Sequence, residues 1–241
     1  MKRIATYRDI SVIQNDPFIV IATDSSGSIG EKEHDSLPVQ IEMAAAYCLR
    51  VCLVELTAVG AKPEIIISTV SNEFEPTGRK ILDEIKRQCE RYRITEYDIS
   101  GSSEENFATG MTGFGITVVG STRQLHWKQT RIGDFCYLYG MPYLGHQVLD
   151  HEDALLDPTI IQTLFSQYEI NDLLPCGSSG IQKELNVLCS EMNLSFECRQ
   201  NIDSNLLVKS AGPATCGIFS SSQIISRDHI QLLGHFIKRA D

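Results

Sequence analysis

Carboxylates stand at several points where the surrounding sequence does not call for charge. Asp24 follows the apolar run Phe18-Ile19-Val20-Ile21-Ala22 and leads into Ser25, Ser26, Gly27, Ser28 and Gly30. A turn accounts for the glycines alone. A phosphate or metal site accounts for the glycines and the aspartate together, because hard cations take carboxylate oxygens and open backbone N–H groups take anions. Asp9 sits just before the alternation Ile10-Ser11-Val12-Ile13. Glu55 lies among Val51, Cys52, Leu53, Val54 and Leu56. An unpaired carboxylate buried there is very unfavourable, so it needs a cation, a donor or the surface. Two readings stay open: an ion pair with Arg50 or Lys62, or a metal ligand or a carboxylate just behind one. Glu104 and Glu105 occur in "SGSSEENFATGMTGFG", with glycines at 101, 110, 113 and 115. Read alone, that stretch is a long hairpin-like loop, and a phosphate cradle is its functional alternative. "GSSG" at 177–180 opens a helix, where capping or anion binding would use the same N–H groups.

Composition narrows the classes. The 241 residues carry a formal net charge of −10, with 42% apolar and 22% charged residues, as in ordinary globular proteins. Nucleic acid and anionic membranes need a basic face, so neither is an expected partner. No apolar run reaches the ~18–20 residues of a membrane span. The start "MKRIATYRDI" lacks the apolar centre of a signal peptide, so a cytoplasmic location is expected. Eight cysteines are scattered without a CxxC pair, which reads as reduced thiols rather than a zinc site. The GxxxxGK[ST] phosphate loop and the GxSxG nucleophile elbow are both absent from the sequence.

The elements that must position these residues read as an α/β mixture. A strand is expected over 17–23, ending at Asp24. "VQIEMAAAYCLRVCLVELTAV" (39–59) favours helix and is apolar almost all round, so it should be buried on nearly every face, with Gly60 as its cap. "EIIISTVS" (64–71) reads as a central strand and "PTGRKILDEIKRQCERYRI" as an amphipathic surface helix. Strands follow at 113–121 and 133–140. A polar, acidic stretch ending at Asp157-Pro158 marks a boundary region, dividing the chain into expected domains 1–145 and 146–241. Helices are expected near 158–167, 179–192 and 226–239, and a strand near 206–220.

In order, these segments resemble the superfamily of aminoimidazole ribonucleotide synthetase, thiamine-monophosphate kinase and selenophosphate synthetase, the PurM-like proteins. "RDISVI" stands where many members carry GDDAAV, and Thr23-Asp24 matches their strand ending in TD. "DSSGSIGEK" is a stretched DGVGTK ending at Lys32. "ELTAVGAKP" matches DLxAMGAxP with Glu55 in the aspartate position. "SGSSEENFATGMTGFGITVVG" matches GGDT or GGETAE leading to QTGxGxTxxG. "GDFCYLYG", "GSSGIQKEL" and "KSAGPATCGI" resemble second-domain motifs.

The resemblance implies an α/β (α+β) fold: an N-terminal half-barrel (1–145) that binds ATP and pairs in a homodimer, and a shortened C-terminal domain (146–241). It implies ATP and Mg2+ as cofactors and a small-molecule substrate, nucleoside-like or a vitamin precursor. By matching motif positions, Asp24 and Lys32 would be catalytic. Asp9, Ser25, Gly27, Gly101, Ser102, Ser103 and Asn106 would hold nucleotide. Asp9, Asp24, Glu55, Glu104 and Glu105 would hold metal. The chain departs from the pattern where Arg8 replaces an acid before Asp9, where Glu55 is longer than aspartate, and where Ser102 replaces the acid of GGDT. The short second domain favours phosphoryl transfer to a hydroxyl, with α-ribazole the specific acceptor implied. A thiamine-monophosphate kinase-like or synthetase reaction, and nucleotide binding without catalysis, are the alternatives.

Overall fold

The computed structural model describes residues 2–239. They form two compact units, one of residues up to Leu56 together with Ala61–Gln124, the other of Thr57–Gly60 together with Leu125 onward.

In the first unit the strands are β1 (Lys2–Tyr7), β2 (Ile10–Gln14), β3 (Phe18–Gly27), β4 (Ile29–Gly30), β5 (Leu37–Pro38), β6 (Lys62–Val70), β7 (Asp98–Ser103) and β8 (Gly113–Thr122). Helices α1 (Ile41–Ala58) and α2 (Arg79–Arg91) join them. Six strands make one sheet in the order β1-β2-β3-β8-β6-β7, antiparallel except for the β6–β7 pair, and β4 and β5 form a small parallel clip. Side chains alternate across a strand, and burial follows that period. Val12, Val20, Ala22, Ile66, Ile116 and Val118 are buried, whereas Ile13, Ile19, Ile21, Ile65, Ile67 and Val119 on the opposite face are not.

Helix α1 covers the buried face. It is buried almost all round, through Ile41, Ala45, Leu49, Cys52, Leu53, Val54 and Leu56, as its uniform apolarity requires. Gly60, at φ +79, ends it, and the Ala61 amide closes back on the Leu56 carbonyl at 3.0 Å. Helix α2 turns Ile81, Ile85 and Cys89 inward and most of its charges outward; Glu84 is the exception, buried and accepting from Arg87 and Gln88.

The structure corrects two local expectations here. The strand does not stop before Asp24: β3 runs on through Ser25 and Ser26 to Gly27, paired residue by residue with β8 down to Gly27–Gly113. Nor is 100–115 a hairpin, since β7 and β8 lie on either side of β6. Gly101 has a packing reason on β7, for a Cβ there would lie 2.1 Å from the Ser68 carbonyl oxygen.

The second unit holds β9 (Phe135–Tyr139), β10 (Asp172–Pro175), β11 (Leu194–Cys198), β12 (Gly217–Ser221) and β13 (Ile230–Lys238), with helices α3 (Gln147–Asp150), α4 (Pro158–Gln167), α5 (Gly180–Met192) and α6 (Ser204–Val208). Its sheet runs β10-β12-β9-β13-β11, antiparallel throughout. Ile181, Leu185 and Leu188 of α5 share a core with Cys136, Leu138, Ile218, Leu233 and Phe236. Asp157 caps α4 by accepting from the Ile160 amide at 2.7 Å, with Pro158 in the first turn.

Two expectations fail in this unit. Residues 226–239 do not form a helix: β13 is an interior strand, paired with β9 on one side and β11 on the other. Gly234 disfavours a helix interior and suits this strand, where a Cβ would lie 2.1 Å from the Glu197 carbonyl oxygen. The expected strand over 206–220 is part of α6, a turn, and β12, which starts only at Gly217. No disulfide joins the eight cysteines, and six of them are buried.

Candidate functional site

Asp24 and Glu55 lie between the first sheet and α1, and the other charged residues of interest lie in the turns and loops around it. Asp24 shares a row with Ile116 on β8 and Ser68 on β6. Its even-numbered position puts it on the face of Val20 and Ala22, under α1, at the end where cover thins. Two α1 cysteines lie over this row. The Cys52 thiol donates to the Ile116 carbonyl at 3.2 Å, and the Cys48 thiol hydrogen-bonds the Asp24 carboxylate. Burial pushes the Asp24 carboxyl above its usual range. The Ser25 amide and Cys48 pull it back only in part, and the nearby Asp9 carboxylate pushes the same way as burial. Burial and the Asp24 charge likewise raise both thiols far above the ordinary range, so neither is a nucleophile.

Asp9 is exposed in the turn between β1 and β2. The residue before it, Arg8, adopts φ +54 in that turn, and its side chain runs to α1. Nη1 and Nη2 donate to the two oxygens of Glu55 at 2.8 and 3.1 Å, with the two side chains only 5% and 6% exposed. Glu55 therefore has a buried ion pair with Arg8, a partner not expected from the sequence. Both of its oxygens accept from that guanidinium.

Ser25 follows Asp24 on the strand and faces the other side of the sheet, the side where Thr23 meets Thr117 at 2.9 Å between hydroxyls. Gly27 is open, with nothing within 4 Å of a Cβ built there. Lys32 is not free to reach a phosphate as the chain stands. Its Nζ donates to both Glu73 oxygens at 2.7 and 2.6 Å, and Thr77 adds a third bond to Glu73 at 2.5 Å. Burial alone would raise the Glu73 carboxyl, but the Lys32 and Thr77 bonds outweigh it and hold the group below its usual value.

Gly101, Ser102 and Ser103 line β7, separated from β3 by β8 and β6. Three strand spacings put them ~14 Å from the Asp24 strand. Glu105 accepts from the Phe74 amide at 2.8 Å and from Ser103 Oγ at 2.7 Å. Glu104 accepts from the Asn106 amide at 2.7 Å. The structure thus disperses the carboxylates expected to hold metal, although the Asp9 charge still acts on Asp24. Among the described residues, no group of three or more His, Cys, Asp or Glu side chains is arranged to hold an ion.

Four residues not singled out from the sequence build the loops. Asn72, fully buried at the end of β6, donates to Thr109 and to the Met111 carbonyl and accepts from the Gly113 amide. Asp35 accepts from the Thr112 amide and hydroxyl at 2.7 and 2.6 Å and from the Lys32 amide at 2.9 Å. Thr112 and Glu73 complete the set. The one sequence signal was Asn72-Glu73 directly after an apolar strand, where side-chain bonding to turn backbone is common.

These bonds give loop 28–38 a measurable acid sensitivity. Burial would raise the Asp35 carboxyl, but the Thr112 and Lys32 bonds hold it below its usual value. A lowered folded pKa stabilises above the unfolded value of about 3.9 and is lost as pH falls through the folded one. Hydrogen exchange at the Thr112 and His34 amides is therefore expected to be faster in Asp35→Ala than in the parent at pH 6. The gap should close on acidification below pH 3, and a gap that persists there would assign the pinning to other groups.

No protein-family description matches the sequence, and no curated protein matches it. Solved structures do. AaThiL complexed with AMPPCP and TMP aligns over 96% of this chain and 85% of its own, with TM-score 0.69 and 13% identity. The fold is PurM-like. Thiamine monophosphate kinase from Aquifex aeolicus aligns over 97% of this chain and 90% of its own, with TM-score 0.67 and 13% identity. Hydrogenase maturation protein HypE in complex with ATP aligns over 91% and 77%, with TM-score 0.59 and 13% identity. At such identity the PurM-like assignment concerns the fold, and the chemistry rests on this chain's own residues. Among the described residues no helix is long and apolar enough to cross a membrane.

Proposed function

We propose that this chain binds ATP and transfers its terminal phosphoryl group to a small molecule. The observation that carries the reading is Asp24, a half-buried carboxylate held on a paired strand under α1, where the Asp9 charge also reaches it. A carboxylate held partly out of water within reach of a second negative charge is an unfavourable arrangement that a cation relieves. On a fold whose solved relatives include complexes with AMPPCP and with ATP, the fitting cation is the one that travels with a triphosphate.

Magnesium binds through one or two carboxylates plus substrate phosphates, and Asp24 meets that requirement. A cluster held by several carboxylates does not fit, because Glu55 is ion-paired with Arg8 and Glu104 and Glu105 accept bonds elsewhere. When bound, the ion would neutralise phosphate charge that opposes attack. The chain itself supplies position. Strand β3 fixes Asp24, and Asp35 and Asn72 pin the loops on either side of Gly113. Lys32 reaches the triphosphate only by exchanging Glu73 for a phosphate oxygen, a like-for-like swap of anionic partners.

A thermal-shift screen with Mg·ATP followed by ADP detection tests this reading. Mg-dependent stabilisation, with ADP release on adding α-ribazole, is the expected result. Thiamine monophosphate is the second acceptor to try. The Lys32–Glu73 pair favours one further reading, nucleotide binding without transfer, which stabilisation without ADP from any acceptor would establish.

A homodimer is part of the proposal. Ile13, Ile19, Ile21, Ile65, Ile67 and Val119 stay only partly covered on the open face of the first sheet, with Ile65 at 39% exposure. A second copy of the same face is an apolar surface of matching shape. Light scattering is expected to give twice the chain mass, and Ile21→Lys with Val119→Lys is expected to give the monomer. A monomeric parent at micromolar concentration would remove this part.

A further inference from the structure

We infer that Lys32 and Thr77 make up one oxyanion site, which the Glu73 carboxylate fills in the ligand-free chain and which a phosphate group of the nucleotide takes by displacing it. The inference deepens the proposed nucleotide reading, and only the source of the phosphate rests on that reading.

The bonds to Glu73 carry it. Lys32 Nζ donates to both Glu73 oxygens, at 2.7 and 2.6 Å, and Thr77 Oγ1 donates to Oε1 at 2.5 Å. Two donors from separate segments, the 28–38 loop and the turn that leads into α2, thus converge on one oxyanion. A carboxylate and a phosphate both offer such donors charged oxygens on a single central atom. The Glu73 oxygens therefore stand in for two phosphate oxygens.

The surroundings let the two exchange. Both backbones are fastened without using the pair. The Lys32 amide donates to Asp35 at 2.9 Å, and Thr112 holds Asp35 in turn. Asn72, just before Glu73, is fully buried and bonded, and the Phe74 amide just after it donates to Glu105 at 2.8 Å. Displacement needs only the Glu73 side chain to turn away. The Lys32 and Glu73 side chains are 24% and 30% exposed, so anions in solution reach the pair, and water screens it enough that it holds weakly. Thr77 is only 8% exposed. Its hydroxyl loses an acceptor when Glu73 leaves, and a buried donor left without one is costly. An arriving phosphate oxygen restores that bond, which ties the departure of Glu73 to the arrival of another oxyanion. Glu73 is then a competing internal ligand, and it lowers the apparent affinity by the fraction of time it keeps the site closed.

Calorimetric titration of the full chain with inorganic tripolyphosphate, without metal, tests the site apart from the nucleotide. Glu73→Gln keeps the shape and removes the charge. It is expected to tighten tripolyphosphate binding about fivefold or more, the effect of opening a site held by a weak ion pair. Glu75→Gln makes the same charge change two residues away, at the exposed pair with Arg79, and is expected to change the affinity by less than about twofold. Thr77→Val, which keeps the volume, is expected to weaken binding, and Thr77→Ser, which keeps the hydroxyl, to retain it. No binding to the parent or to Glu73→Gln, an equal gain in Glu75→Gln, or unchanged affinity in folded Thr77→Val would each overturn the inference. If Thr77→Val does not fold, the comparison of Glu73→Gln with Glu75→Gln decides. The same titrations with Mg·AMPPNP test the source of the phosphate. A parallel gain in Glu73→Gln supports the nucleotide. Tripolyphosphate binding that tightens in Glu73→Gln, with no AMPPNP binding at all, keeps the oxyanion site and removes the ATP reading.

Discussion

Arg8→Ala is expected to lower the unfolding free energy by about 3–5 kcal/mol, the usual consequence of stripping one partner from a buried ion pair. Arg8 and Glu55 side chains are 5% and 6% exposed, so solvent screens the remaining charge poorly. The alanine variant leaves the Glu55 carboxylate among Val51, Cys52 and Leu56 with its guanidinium partner gone. Glu55→Gln should also destabilise, because it replaces the charged half of the two-pronged bond to Arg8. Arg8→Met/Glu55→Leu removes both charges and keeps much of the volume, so it should recover most of the loss and end within about 1 kcal/mol of the parent. Denaturant unfolding of the three variants checks this. If Arg8→Ala is within experimental error of the parent, the pair is not a fixed part of the fold.

Asp24→Asn is expected to separate the fold from the site. Asparagine keeps the size and removes the charge that burial and Asp9 already disfavour. Without ligand the variant should therefore melt at or above the parent temperature at neutral pH. With Mg·ATP it should lose the stabilisation seen in the parent. A ligand that binds only the native state stabilises by RT ln(1 + [L]/Kd), about 2.7 kcal/mol at a hundredfold excess over Kd. For a chain of this size that is a shift on the order of 5–10 °C. Turnover should fall with the shift. A variant that keeps both would place the triphosphate elsewhere, and one that melts far lower without ligand would make Asp24 a structural residue of β3.

The PurM-like fold was legible because its elements announce themselves locally. The helix from Ile41 to Ala58 is apolar on every side and can only be buried. Runs such as Ile65-Ile66-Ile67 and Ile116–Val119 are branched in the way interior strands favour, and Gly60 ends a helix by its backbone freedom. The order of short motifs then pointed to the PurM-like fold that the solved structures share. Propensity failed where pairing outweighed it. Residues 230–238 carry a helical-looking mix of Leu, Gln, His and Lys, yet β9 and β11 flank them and make them a strand. Ser25-Ser26-Gly27 read as loop because small polar residues usually are, but Gly115 and Gly113 on β8 let the strand continue beside them.

The candidate site divides along the same line. That Asp24, Asp9 and Glu55 are chemically out of place among apolar neighbours is a property of the sequence alone, since a lone carboxylate in such surroundings demands a partner. Which partner it finds is not local. Arg8 and Glu55 are 47 residues apart, and they meet only because the β1–β2 turn aims Arg8 at α1. Asp35 and Thr112 are 77 apart and meet through loop 28–38 folding onto the start of β8. The types of residue and their periods set what must be buried and what must be charged. The sheet order and register alone decided that Ser25 turns to the other face and that the Arg8 guanidinium reaches Glu55.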